Sequence, residues 1–479
     1  MAGSDCYQSS SQCRPRSTQL SLSPKKSVFA VQGPKDQPYI QDFENNIRLP
    51  LQDFLVSRLS DCTWTLNVLR LGFEGNRYDN PIVIHLFVQT PDYFPTMRTM
   101  LSRFWKASRR LFPKIRRPSK RTFFIDICQI HGSTLTGSIP QRCGEINLTH
   151  NLANICEEYT PRPGISIGRE DYTIAGSLTG FLKQNDDIYS LTCRHIAFPD
   201  DSFRSEYKYR NGEEKLQVSI PALKDHVETK RRLKSTLDSI EFAIKNSAFK
   251  DAANIDKKYR NEILRKAALI RYNDAADCCP NAGYVSAAPE EWRKVPGYVG
   301  NLDWAIIHNV CAAPITPSKI SKEPQISNLI QSKQEECQWS NDECKAFDSK
   351  CQMLQDSEEF VIKHPSPSSV LCTNKVYFKA PSRTLDWLAC EMNCFKSIHH
   401  REGHGISEEC VFVGRQHGGR MDADKHTAAL IPMAMIWGGN HHGTTISGFR
   451  DVTYATPIGA VLKDIECEMG WDEGSLRFC

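Results

Sequence analysis

The chain has 479 residues, 40% of them hydrophobic and 24% charged, enough for roughly two to four globular domains and too apolar for a wholly disordered chain. Its net charge of +4 is too small at this length to argue for nucleic-acid or membrane binding by the molecule as a whole. The opening residues lack the apolar core of a secretion signal, and no stretch reaches the about 18 apolar residues of a membrane span, so the sequence predicts an intracellular, cytoplasmic protein, with the nucleus as the alternative, and no membrane partner.

The 19 cysteines show no repeated spacing and no Cys-x-x-Cys pair. They read as reduced thiols, not as a disulfide framework or a structural zinc site. His399, His400 and His404 cluster in HHREGH, and His441 and His442 in NHH. Without spaced Cys or acidic partners they read as exposed loop histidines. No metal and no cofactor is expected.

Residues 1–38 are rich in Ser, Gln, Lys and Pro and predict a disordered tail. A small α+β domain follows over 40–135. TWTLNVLRL and PIVIHLFV alternate apolar and polar positions as half-buried strands do. Met97, Leu101, Phe104 and Leu111 then share one helical face, and RTFFIDICQI is a third strand. The run 103–121 carries nine Lys or Arg in nineteen residues; it reads as a solvated helix face leading into a loop, with nucleic-acid binding or a nuclear address as the alternative.

YTPRPGISIG breaks the pattern and marks a domain boundary. GSLTGFLKQNDDIYSLTCRHIAF reads as two strands joined by a turn at Asn185–Asp187, with His195 at the end of the second. Over 221–272, Leu233, Leu237, Ile240 and Ile244 form one apolar seam, and Tyr259, Ile263, Ala267 and Ile270 a second. Together they predict a coiled-coil-like antiparallel helical hairpin. PNAGYVSAAPEEW and GNLDWAIIHNV return to strand character. Residues 315–365 are polar and predict a linker, with Cys337, Cys344 and Cys351 spaced as on a helix edge. Short strands resume from 370, a last helix is expected after Pro457, and 466–479 read as a C-terminal tail.

The chemistry concentrates in two motifs. A base acting on a hydroxyl or thiol needs a carboxylate to fix its tautomer and stabilise its cation. Asp303 precedes the apolar run Trp304–Ile307, which holds a carboxylate at a strand edge. His195 and Asp303 thus occupy separate β segments in the order His then Asp.

These segments resemble trypsin-like (chymotrypsin-fold) serine peptidases of the PA clan, the S1 type, and most of all the intracellular members of filamentous fungi. The resemblance covers roughly 160–465. It implies a mainly β trypsin-like double β-barrel, with 221–272 as an inserted helical hairpin and 315–365 as the link between barrels. By resemblance His195 is the catalytic base and Asp303 the orienting acid. MIWGG is similar to the strand lining the primary specificity pocket, which assigns Trp437, Gly438 and Gly439 to substrate binding, and RDVTYATPIGAVL to the last barrel strand and C-terminal helix.

The family's Gly-Asp-Ser-Gly nucleophile loop does not occur in this sequence. At its place stands Arg415–Gln416–His417–Gly418–Gly419, which puts His417 at the nucleophile position and Gly418 and Gly419 in the oxyanion loop. Imidazole is a poor substitute for an alkoxide in acyl transfer, and Arg415 resists the sharp turn that a glycine allows. Ser447 lies after the pocket strand, and Cys410 has no glycine context. The sequence therefore predicts a hydrolase homologue without turnover, a pseudoenzyme that binds peptide or protein, or else a translation that skips a short nucleophile segment. The alternatives are an active serine endopeptidase with an unrecognised nucleophile, and a nucleic-acid binder acting through 103–121.

Overall fold

The structure is a computed structural model. It describes residues 27–72, 77–90, 123–131, 163–199, 205–245, 252–290, 293, 295, 298–309, most of 340–349, 360–365, 371, 376–379, 388–401, 404–413, 428–439 and 452–479. It is mainly β: among the described residues there are six helices, and the strands form a ten-stranded sheet, a nine-stranded sheet and a two-stranded pair. The two large sheets curl as half-barrels, an architecture compatible with a double β-barrel.

The nine-stranded sheet carries the histidine and aspartate motifs. Gly180–Gln184 and Asp187–Thr192 form a tight hairpin in which Gln184 faces Asp187. Asn185 turns it at φ 55°, the left-handed region that asparagine tolerates. Asp187–Thr192 pairs with Ala305–Asn309, which pairs in turn with Asn281–Ala288. The strand Arg477–Phe478 adds to the outer edge of Gly180–Gln184. Residues 466–479, expected as a tail, are therefore folded: Leu476 and Phe478 are buried, and Glu466 accepts from the backbone of Gly474 and Leu476.

The ten-stranded sheet joins the two ends of the chain. Thr63–Gly72 pairs with Ile82–Thr90 on one side and with Ser397–Arg401 on the other. Ser397–Arg401 pairs with Gly405–Val413, which leads through Val452–Pro457 to Ala434–Gly439. The start of the chain is also built in. Ser27–Phe29, within the expected tail, pairs with Arg70–Gly72, because Val28, Ala30 and Val31 supply buried apolar side chains. Thr63–Gly72 is buried on both faces, where alternation predicted one. Trp64, Leu66 and Val68 pack on Leu51 and Leu55 of the helix Arg48–Arg58, while Leu69 and Leu71 enter the same core as Val411, Val413 and Tyr454. The polar positions between them find buried partners: Asn67 donates to the Tyr454 hydroxyl at 3.0 Å.

Helices Leu223–Lys245 and Ala252–Asp277 pack on each other. The first seam is Leu233, Leu237 and Ile240, flanked by Ile244. The second differs from the expected one: Ala268 and Ala275 are buried with Leu264 and Tyr272 against them, whereas Tyr259, Ile263 and Ile270 are exposed. Alanines let two helices approach closely, so Ala268 and Ala275 take the innermost positions, with Leu264 and Tyr272 packed beside them.

Candidate active site

Strand register brings the two motifs together. Thr192 faces Ala305 across an antiparallel pair, so the chain leaving Thr192 and the chain entering Ala305 lie side by side at one end of the sheet. Cys193 ends the strand, and Arg194–Ala197 makes a single helical turn carrying His195. Gly176 makes room for that turn: a Cβ there would lie 2.3 Å from a side-chain atom of Ile196. The Arg194 amide donates to the Asp303 carbonyl at 3.2 Å. Both carboxylate oxygens of Asp303 serve His195: one accepts from its backbone amide at 3.1 Å, and the other is bonded to ring Nδ1. Asp303 is nearly enclosed, with its side chain 9% exposed, against 26% for that of His195. The arrangement fixes the carboxylate, orients the ring and leaves the imidazole open to solvent, which is what a general base requires.

The residues before Asp303 are held from the other sheet. Glu409 is fully buried and accepts from the Asn301 amide and from the Trp437 indole, the latter at 3.3 Å. Thr456 donates to the Asn301 carbonyl at 2.8 Å. One residue past Asp303, the indole of Trp304 donates to Asp464 of the helix Ile458–Met469 at 2.8 Å. Burial pushes the Glu409 carboxyl up to about 7, against the downward pull of those donors. The Cys193 thiol bonds the carbonyl of Ile436 at 3.3 Å, on the strand expected to line the pocket. Burial, and then the Asp303 charge, push that thiol well above the usual range.

The other predicted positions fall elsewhere. Trp437 is buried, donates to Glu409 and stacks on Tyr454 with ring centroids 5.8 Å apart. Gly438 and Gly439 end the same strand, opposite Tyr454 and Thr453. Cys410 lies in the apolar cluster with Cys390, Phe412 and Ala455, and burial raises its thiol to about 11, so it belongs to the core. His417, Gly418, Gly419 and Ser447 lie outside the described residues, as do the basic run 103–121, the helix face Met97–Leu111, and Cys337, Cys351, His441 and His442.

His399 and His400 are not the exposed loop residues expected of them. They sit in the strand Ser397–Arg401 and are buried on opposite faces. His399 bonds Thr65 and meets the Trp437 and Tyr454 rings edge-on, and burial lowers it to about 3. His400 stacks on Trp64 at 5.2 Å and bonds the Cys62 carbonyl. Alternating strand geometry separates two adjacent histidines in this way and removes them from a shared ligand set.

Two site residues escaped the sequence reading. Glu409 gives no local signal, since the Asn301 amide and Trp437 indole that it accepts from are 108 and 28 residues away in sequence. Cys193 stands two residues before His195, and the Cys-x-His spacing was the available signal. No protein-family model and no curated protein matches this chain.

Proposed function

We propose that the chain is a trypsin-like serine-peptidase homologue that retains the base–acid pair and lacks the nucleophile, and that it binds peptide or protein segments without turning them over. The observation carrying this reading is the double engagement of Asp303 with His195, backbone and ring, at the ends of adjacent strands. A buried carboxylate held against a solvent-accessible imidazole is the pairing that acyl-transfer chemistry uses to keep a base in the right tautomer. The absence of Gly-Asp-Ser-Gly from the 479 residues supports the second half. Without a hydroxyl on a strained, glycine-permitted turn there is no acyl acceptor for that base to activate.

The test is covalent labelling. The purified full chain is expected to stay unlabelled by a fluorophosphonate probe and to hydrolyse ester substrates no faster than its His195→Ala variant. Labelling that disappears in His195→Ala would overturn the loss of the nucleophile and identify an active peptidase. Ser447→Ala is then the first variant to examine.

A further inference from the structure

Cys193, His195 and Asp303 each offer a ligand atom, and the three atoms lie within 4.8 Å of one another. We propose that this triplet is a binding site for a borderline-soft divalent cation of the Zn2+ class. The donor set selects the ion: thiolate sulfur and imidazole nitrogen disfavour Mg2+ and Ca2+, and the single carboxylate completes a mixed set that suits zinc.

The geometry requires little movement. Metal–ligand bonds of about 2.0–2.3 Å place tetrahedral ligands roughly 3.3–3.7 Å apart, so the widest separation closes by about an ångström at most, while the hydrogen-bonded His195 Nδ1 and Asp303 carboxylate part to admit the ion. All three residues stand on backbone already fixed. Cys193 and His195 bracket the strand-to-helix junction, and the Asp303 carbonyl and carboxylate hold the amides of Arg194 and His195. The His195 side chain is partly exposed, and water can complete a four-coordinate set.

Proton accounting is simple. The cation replaces the thiol proton of Cys193, which leaves to solvent. In the neutral imidazole the proton moves from Nδ1 to Nε2, so that Nδ1 can coordinate. The Cys193 contact with the Ile436 carbonyl is given up. The ion then occupies the face through which Asp303 orients the ring, and cation binding and the base–acid pairing exclude each other. That last consequence rests on the peptidase-type reading; the binding itself rests only on the three ligands.

The test uses the full chain, stripped of metal and titrated with Co2+. One equivalent is expected to give a near-ultraviolet thiolate-to-cobalt charge-transfer band with the intense visible bands of four-coordinate cobalt, and Zn2+ should displace both. In Cys193→Ser the charge-transfer band is expected to vanish. Asp303→Asn is expected to weaken binding by about 10-fold or more. Circular dichroism checks that each variant is folded, and Cys193→Ala serves if the serine variant is not. A band unchanged in the Cys193 variants would assign the cobalt to another of the 19 cysteines and overturn the proposal, as would no stoichiometric band in the unaltered chain. The fluorophosphonate result is independent, so a failure here leaves the peptidase-homologue reading untouched.

Discussion

At Asp303 both carboxylate oxygens face donors, a backbone N–H and an imidazole N–H. An asparagine there would turn its NH2 toward one of them. Asp303→Asn is therefore expected to cost about 1–3 kcal/mol, the range for leaving a buried donor without an acceptor, read as a lower urea midpoint at unchanged slope. Glu409 and His399 make a second residue-scale prediction because burial drives them in opposite senses. The folded-state value of Glu409 is raised, so its contribution is present below the ordinary carboxylate range and is lost as pH climbs through about 7. The folded-state value of His399 is depressed, so its contribution is present above the ordinary imidazole range and fades as pH falls toward about 3. Over the overlapping window the two slopes oppose each other. Removing either group is therefore expected to tilt the pH dependence of stability away from that of the unaltered chain, in opposite directions. In Glu409→Gln stability should fall on acidification, and in His399→Gln it should rise on acidification from pH about 7. Equal slopes in all three proteins would refute the assignment. The His195–Asp303 contact was legible in the sequence because apolar strand-forming runs flank both residues. Glu409 was not, because what makes it matter is a pair of contacts across the molecule.

Among the elements, the two helices between Ser219 and Asn281 bear most on how the fold is assembled. Ser219 and Asn281 are register partners in adjacent strands, so the excursion between them starts and ends at one place. The helices have their own small core of Leu233, Leu237, Ile240, Ala268 and Ala275. Replacing residues 225–276 with a short Gly-Ser turn is expected to leave a cooperative melt and intact β-type circular dichroism. Leu233→Ala should cost about 2–4 kcal/mol within the helical pair and be felt as faster amide exchange there. Collapse of the whole fold in the excised chain would show that the helices brace the sheets. Periodicity found the first helix's seam correctly and misjudged the second by one position. The period carries no information on side-chain size, and the close approach here is made at Ala268 and Ala275.

Across the whole molecule, the curled sheets share one apolar core, and several hydrogen bonds between them gather around the same few residues. Asn301 is held through its amide by Glu409 and through its carbonyl by Thr456, and Cys193 reaches Ile436. Glu409→Ala is expected to speed amide exchange at Asn301 at least about 10-fold, the scale of removing one hydrogen bond of about 1.4 kcal/mol, with little change in distant strands. Unaltered exchange at Asn301 would remove Glu409 from this role. The hairpin turning at Asn185–Asp187 could be anticipated from apolar runs and turn residues. The sharing of one sheet by residues 63–90 and 397–457 could not, since strand pairing over such separations leaves no local trace.

The bracing of Asn301 has a consequence for how the molecule fails. The peptide next to the acid is gripped by one sheet while the acid itself serves a histidine on the other, so the dyad works as a gauge of how closely the two sheets are seated. Loosening that seating is expected to misalign the carboxylate before either sheet melts. In a graded urea series the Asn301 amide should become labile ahead of the strand amides at Leu191 and Ile306, so the His195–Asp303 contact would be lost while the chain still looks folded.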